Sequence, residues 1–215
     1  MEKRFISTLV PGDVEKLLAA CELGDDRQPQ LKKALSARNR ALVLLSIDAG
    51  PRQKELAGLR LCDVDRKGDT WQQVLVSREA FKALHDYIKK RHSFLMSCGD
   101  TTVVRKEDAV FLSHEGKPLT RVAIGLLFSD LGKKAGIDGK RFYHHQCSQY
   151  MATTQLSMGR GPLDVQRQMG HTTLAMTNHY TSLTTEHLRI SNKIFPLYAK
   201  DVVGEVEMGD NYWNE

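Results

Sequence analysis

Residues 35–49 constrain the fold more than any other segment. They carry apolar side chains on more than one helical face, at Ala41, Leu42, Leu44, Leu45 and Ile47. A helix that is apolar on several faces has to be covered on several sides, so this segment predicts a central, buried helix. Gly50 and Pro51 end it, because glycine accepts the left-handed conformation after a helix and proline cannot continue one.

The other periodic segments predict a mainly α-helical chain with a small antiparallel β-sheet, an α+β fold. Apolar residues at helical spacing predict helices near residues 13–21, 52–59, 78–96, 121–135, 145–158, 162–169, 173–179 and 184–197. Asp13 and Thr120 are the predicted N-caps, and Pro162 is the predicted first residue of its helix. Phe81 is expected to face the core. Residues 71–76 and 110–112 are expected to be strands.

Composition favours a folded chain with an anionic partner. The chain has 215 residues, of which 41% are hydrophobic, so a packed core is expected. One domain is predicted over residues 1–200, and the polar residues 201–215 are expected to form a loose tail. The net charge of +5 favours nucleic acid as a partner.

Cysteine usage and hydropathy indicate the compartment. The cysteines form no Cys-x-x-Cys pair and suggest no zinc site; they are Cys21, Cys62, Cys98 and Cys147. So few cysteines in a chain of this length favour a reducing cytoplasm. The N-terminus has no long apolar core, and no run of about 18 apolar residues predicts a membrane span.

Arg52 begins a new helix directly after the break at Gly50 and Pro51. A guanidinium at this position can place two parallel hydrogen bonds on a phosphate. Glu55 lies three residues later on the same helical face and is expected to hold Arg52 in place. The other interpretation is an ordinary surface ion pair.

The second informative pattern is Gly170-His171, followed nine residues later by Tyr180 across a short polar helix. It suggests a nucleophilic tyrosine beside a histidine that binds the same phosphate. Each residue also has a purely structural interpretation: His171 as a histidine at a helix start, and Tyr180 as a half-buried core tyrosine.

These tracts together resemble the catalytic domain of the tyrosine recombinases, the phage integrase family. Residues 42–65 are similar to that family's first-arginine box, with Arg52 as its arginine. Residues 143–153 are similar to its His-x-x-Arg box, with His145 at the histidine, and His171 and Tyr180 match its third box. The resemblance spans nearly the whole chain. By this resemblance, the separate N-terminal DNA-binding domain that usually precedes the catalytic domain is expected to be absent.

Two departures from the family pattern weaken the expected site. Ser148 occupies the position of the second arginine, and a neutral hydroxyl cannot replace a guanidinium on a phosphate. The hairpin that carries the family's catalytic lysine is short here, and Lys67 is its only lysine. Arg141, Arg160 and Arg167 are close enough in sequence to be candidates for the missing charge.

The resemblance implies cleavage and rejoining of double-stranded DNA through a 3′-phosphotyrosyl intermediate, with no metal or cofactor. In this scheme Tyr180 attacks the phosphorus, Arg52 and His171 bind its oxygens, and His145 orients the site or accepts the tyrosine proton. Additional phosphate contacts are expected from the basic residues Lys54, Arg60, Lys117 and Arg121. The resemblance further implies a monomer in isolation and a homotetramer on DNA, with residues 186–197 docking either on a neighbour or on their own core.

Three alternatives remain. The first is a catalytically inactive, DNA-binding relative that regulates recombination, which the serine and the short hairpin favour. The second is a helical transcription regulator that reads DNA with residues 173–180. The third, a metal site built from His144, His145 and Cys147, is disfavoured because side chains at i, i+1 and i+3 of one helix cannot converge on an ion.

Overall fold

The computed structural model describes residues 9–22, 29–64, 76–97, 108–137 and 142–170. Over these ranges the chain is mainly helical, as predicted. The helices are α1 (Pro11–Ala20), α2 (Pro29–Asp48), α3 (Gln53–Gly58), α4 (Leu61–Val64), α5 (Arg78–Ser97), α6 (Arg121–Lys134), α7 (His145–Ser157) and α8 (Pro162–Gln168).

Helix α2 is the centre of the packing, which confirms the prediction made from its apolar faces. It lies against α1, α5 and α7. Ala41, Leu42 and Val43 are successive residues and all have no exposed surface. Because three successive helical residues point about 100° apart, their joint burial requires neighbours on most of the circumference. The helix begins at Pro29, six residues before the predicted start.

Two local predictions were wrong. Asp13 does not cap α1: Val10 is the N-cap, and the Asp13 carboxylate accepts a hydrogen bond from the Val10 N–H at 3.2 Å. The cause is Pro11, which takes the first helical position and starts the helix two residues earlier. Phe81 is 46% exposed, because the buried stripe of α5 runs through Ala80, Leu84 and Tyr87 instead.

The predicted strand at residues 110–112 is an extended segment held by both backbone and side-chain hydrogen bonds. The Val110 N–H donates to the Leu59 carbonyl at 2.8 Å, and the Phe111 carbonyl accepts the Leu119 N–H at 2.8 Å. Within the described ranges its pairing is limited to isolated antiparallel bridges, Arg60 with Ala109 and Leu112 with Pro118. The buried Arg38 donates to the Leu112 carbonyl at 2.8 Å, and the Tyr87 hydroxyl accepts the Leu112 N–H at 3.0 Å. These groups satisfy the backbone where a neighbouring strand normally would. The small sheet stays a prediction, because residues 71–75 lie outside the described ranges.

Helix termini bring the sequence's key segments together. Helix α2 ends at Asp48, and Gly50, two residues later, has a φ of +65°, the left-handed conformation that follows many helices. Helix α7 passes so close that a Cβ on Gly50 would lie 2.5 Å from the Met151 Cε atom. Thr120 caps α6 by accepting the Ala123 N–H, as predicted. The close approach at Gly50 places α7 beside the turn that leads to Arg52.

Replacing Gly132 by alanine is expected to destabilise the fold. A Cβ on Gly132 would clash with the Phe142 ring, whose Cγ atom lies 2.7 Å from that position. Overpacking of this kind costs about 1–3 kcal/mol, although a glycine-to-alanine change in a helix is otherwise stabilising. Urea unfolding measures the difference. Gly12→Ala in α1 is the matched control, since a Cβ there meets nothing within 4 Å. A Gly132→Ala chain as stable as the Gly12→Ala chain would contradict this packing.

Candidate active site

Arg52 is the N-cap of α3 and reaches across the fold to the Gly170 segment. Its Nη2 atom donates to the Gly170 carbonyl at 3.2 Å, across 118 positions of the sequence. Its Nη1 atom lies 3.5 Å from the Glu55 carboxylate, which also accepts the Arg52 backbone N–H at 2.7 Å. The Arg52 side chain is nevertheless 51% exposed. The guanidinium is therefore oriented by two partners and still open to a ligand.

Ser148 lies beside the same turn, as its place in the sequence pattern predicts. Its hydroxyl donates to the Gly50 carbonyl at 3.3 Å. Since a hydroxyl has a single proton, that proton is directed to the backbone of the turn and not outward. The position expected to carry a second cation is thus occupied by a neutral group that is already hydrogen-bonded.

His145 is the first residue of α7 and lies one helical turn before Ser148, on the same side of the helix. Its ring stacks on Tyr143 with ring centroids 5.6 Å apart. Partial burial lowers the pKa of His145 below its ordinary value. This shift favours the neutral imidazole, which is the form that can accept a proton.

His144, directly before α7, is a buried histidine whose structural role the sequence pattern did not reveal. It is 3% exposed, and its Nε2 atom lies 3.0 Å from the Ser46 hydroxyl. That hydroxyl already donates to the Leu42 carbonyl at 2.7 Å, so the imidazole must be the donor to Ser46. The Phe128 ring contacts it edge-on, with centroids 4.8 Å apart. His144 thus ties the start of α7 to α2, and nothing in the sequence separates it from the adjacent His145.

The three side chains considered for a metal site diverge. His144 is turned to Ser46, His145 stacks on Tyr143, and Cys147 is fully buried. Burial without a cationic partner raises the pKa of the Cys147 thiol, which disfavours the thiolate that binds metals. In the described ranges, no group of three histidine, cysteine or acidic side chains is arranged to bind an ion.

Several predicted site residues lie outside the part of the chain that the structure describes. His171, Tyr180 and Lys67 lie outside the described residues, as do Arg141 and residues 186–197. Gly170, the last described residue, directly precedes His171 in the sequence, and its carbonyl accepts the hydrogen bond from Arg52. Three of the boxes are thereby brought to one place: Arg52, Ser148 through Gly50, and the backbone that leads into His171.

The four basic residues predicted to bind DNA are all exposed: Lys54, Arg60, Lys117 and Arg121. Lys54 lies in the first turn of α3, two residues after Arg52. The neighbouring Gln53 packs on Gly125 of α6: a Cβ on Gly125 would lie 3.3 Å from the side-chain nitrogen of Gln53. Gly125 is one helical turn from Arg121, so this contact brings the start of α3 close to the start of α6. Lys117 pairs with Glu115 at 2.9 Å, but this pair is exposed and easily exchanged for a phosphate.

In the described part of the chain, no helix combines the length and apolarity of a membrane span.

Comparison with known proteins agrees with this arrangement. Residues 7–187 match the model of the Phage integrase family. Tyrosine recombinase XerD of Halalkalibacterium halodurans is 29% identical over 196 residues, covering 87% of this chain and 60% of that protein. Tyrosine recombinase XerC of Listeria monocytogenes serotype 4a is 30% identical over 166 residues, covering 73% of this chain and 53% of that protein.

Solved structures show the same fold. The XerA recombinase crystal structure superposes with a TM-score of 0.70 at 25% identity, covering 92% of this chain and 67% of that chain. The Tn1549 transposon integrase, in complex with transposon right end DNA, superposes with a TM-score of 0.64 at 20% identity over 91% of this chain and 67% of that one.

The chain therefore belongs to the phage integrase family of tyrosine recombinases. It spans between half and two thirds of the length of the curated relatives named above.

Acidification is expected to destabilise the fold through His144. Burial lowers the pKa of His144 from 6.5 to about 4. Between these values the unfolded chain binds a proton that the folded chain excludes, so the free energy of unfolding falls as the pH drops from 6.5 to 4. The contribution is about 3 kcal/mol at most. Urea unfolding across this range measures it in the wild type and in His144→Gln.

The loss should be smaller in His144→Gln, because its side chain does not titrate. His85→Gln, which changes an exposed histidine of α5, is the control and should keep the pH dependence of the wild type. A pH dependence in His144→Gln equal to that of the wild type would contradict the assignment.

Proposed function

We propose that this chain cleaves and rejoins double-stranded DNA with Tyr180 as its nucleophile. The observation that carries the proposal is the hydrogen bond from Arg52 to the Gly170 carbonyl. It joins the first-arginine segment to the segment that continues into His171 and Tyr180. Membership of the family supports the same chemistry, and the Tn1549 integrase with its transposon end DNA is a relative of the same fold that holds the proposed kind of partner.

The reaction is an exchange of phosphate esters. The Tyr180 oxygen forms a bond to phosphorus, and the bond from phosphorus to the 5′-oxygen breaks. The products are a 3′-phosphotyrosyl link and a 5′-hydroxyl, and a 5′-hydroxyl of a second strand reverses the step. One ester replaces another, so the sequence of steps balances without an external energy source.

The described residues have defined parts in this scheme. The half-exposed Arg52 would bind the non-bridging oxygens, which gain negative charge in the transition state. His145, in its neutral form, would accept the tyrosine proton. His171 would donate to the phosphate, and Lys67 would protonate the departing 5′-oxygen.

Ser148 makes the proposed site weak. A preorganised donor to a transition-state oxyanion contributes about 10²–10³ in rate, and an arginine adds its charge. The Ser148 hydroxyl donates to Gly50 and supplies neither. This observation also favours the second candidate function, a DNA-binding relative that regulates an active recombinase without cutting DNA itself.

A covalent trap distinguishes the two candidates. The chain is incubated with randomised duplexes that carry a nick, so that the cleaved end diffuses away and the tyrosyl adduct accumulates under denaturing conditions. Tyr180→Phe should abolish the adduct, because phenylalanine has no nucleophilic oxygen. Tyr150→Phe, which removes a hydroxyl from α7, is the control and should leave the adduct unchanged. An adduct that persists in Tyr180→Phe would exclude Tyr180 as the nucleophile. DNA binding by the wild type without any adduct would support the regulatory candidate.

DNA affinity is expected to depend steeply on salt. If Lys54 and Arg121 each neutralise a phosphate, replacing either by alanine should lower the slope of log K against log salt concentration by about 1. Fluorescence anisotropy with a labelled duplex, at several salt concentrations, measures the slope. Lys134→Ala is the matched control, because Lys134 is at the opposite end of α6 and pairs with Asp130. An unchanged slope in Lys54→Ala and Arg121→Ala would exclude these phosphate contacts.

The expected assembly is a monomer that forms a tetramer on DNA. The segment proposed to link neighbours, residues 186–197, lies outside the described residues. Light scattering measures this assembly directly, with and without a duplex selected from the randomised pool because the chain forms the adduct on it.

A further inference from the structure

Arg160 is a half-buried cation whose described partners are all neutral. It follows Gly159, the left-handed residue after α7 with a φ of +85°. Its Nη1 atom donates to the Gln155 side-chain oxygen at 2.9 Å and to the Gln168 side-chain oxygen at 2.5 Å. Partly buried arginines are normally matched by carboxylates. No carboxylate in the described ranges is paired with Arg160, so its charge is oriented but not neutralised there.

The two glutamines anchor this cation to the end of α2. Both side-chain amides donate to the Asp48 carbonyl, at 3.5 Å from Gln155 and at 3.1 Å from Gln168. The Asp48 carboxylate is used elsewhere, since it accepts the Ser77 N–H. Asp48 is the last residue of α2, and the turn that carries Arg52 follows it directly.

The same network touches every segment of the candidate site. Gln155 follows Ser148 by seven residues on α7, two turns further along the same face. Gln168 precedes Gly170 by two residues, and the Gly170 carbonyl is the acceptor for Arg52. A positive charge is thus held by a network that includes residues of α7 and α8 and the last residue of α2.

We propose that Arg160 supplies the second positive charge for the scissile phosphate. The proposal rests on the proposed strand cleavage and identifies which residue compensates for Ser148. Two helical turns separate Gln155 from Ser148 by about 10 Å. In a partly buried setting, a unit charge about 10 Å from a phosphate changes a rate by about one order of magnitude. Arg160 acts as a positioning and charge-supplying residue through the glutamine network, and its contribution is smaller than that of a guanidinium in direct contact.

The test is a double-mutant cycle on the cleavage rate. Single-turnover adduct formation is measured on the selected nicked duplex for the wild type, Arg160→Gln, Ser148→Arg and the double variant. Arg160→Gln should slow cleavage about tenfold, and Arg160→Lys should retain most of the rate because it keeps the charge. Ser148→Arg should restore the rate in the Arg160→Gln background. If Arg160 acts through its charge, Arg160→Gln should slow cleavage by a smaller factor in the Ser148→Arg background than in the wild type, whereas a purely structural role gives the same factor in both backgrounds.

Two further measurements separate charge from folding. The thermal midpoint of each variant shows whether the fold is intact. If Ser148→Arg does not fold, the cleavage rates of Arg160→Lys and Arg160→Gln are compared instead, because only Arg160→Lys keeps the charge. Arg167→Gln removes an exposed arginine from α8 and should slow cleavage less than Arg160→Gln.

Three results would overturn the inference while the proposed function stands. The first is equal cleavage by folded Arg160→Gln and wild-type chains. The second is equal slowing by Arg160→Lys and Arg160→Gln. The third is an inactive wild type that Ser148→Arg activates, since Arg160 then supplies no useful charge. If neither the wild type nor Ser148→Arg forms an adduct on any duplex, strand cleavage itself is excluded and the inference with it.

Discussion

The candidate site depends on one hydrogen bond, from the Arg52 guanidinium to the Gly170 carbonyl. It joins segments 118 residues apart, and each segment carries part of the residue pattern that resembles the family's motifs. The carbonyl takes only part of the donor capacity of the guanidinium, which has five N–H groups in a planar fork. Glu55 also contacts the guanidinium, at 3.5 Å from Nη1, but the Arg52 side chain is still 51% exposed and can therefore accept a further oxygen ligand.

Close helix packing makes that hydrogen bond possible. Gly50 lets α2 end against α7 without a Cβ between them, and Met151 fills the space that a Cβ would need. His144, through Ser46, fixes the start of α7 to the same helix. These contacts determine where Ser148 lies relative to Arg52. The geometry of the site is thus set by the core around α2 and not by the surface residues themselves.

The sequence predicted a helix and its buried face correctly where the apolar residues of the sequence are also the residues that the structure buries. Helix α2 was found because its apolar residues cover several faces. Phe81 was misplaced because Arg91, a charged residue, belongs to the buried stripe of α5 and obscures its phase. Over residues 110–112 the described strand pairing is an isolated bridge at Leu112, where Arg38 and Tyr87, distant in sequence, satisfy the backbone groups. In the site, the order of motifs identified Arg52 and Ser148, but the burial of His144 depends on Ser46 and Phe128, which no local pattern connects to it.

The partners of Arg160 are neutral side chains, which matters for the phosphate proposed to bind at this site. A carboxylate would orient the guanidinium more firmly, but it would cancel most of the field that an approaching phosphate experiences. Glutamine oxygens satisfy the N–H groups and leave the net charge intact, at the cost of weaker hydrogen bonds. Gln155 and Gln168 also satisfy the Asp48 carbonyl at the end of α2, where a helix leaves its last carbonyls without partners. The two glutamines therefore satisfy a carbonyl at the end of α2 and also orient the Arg160 guanidinium. Orienting an unneutralised guanidinium is useful only if an anion binds nearby.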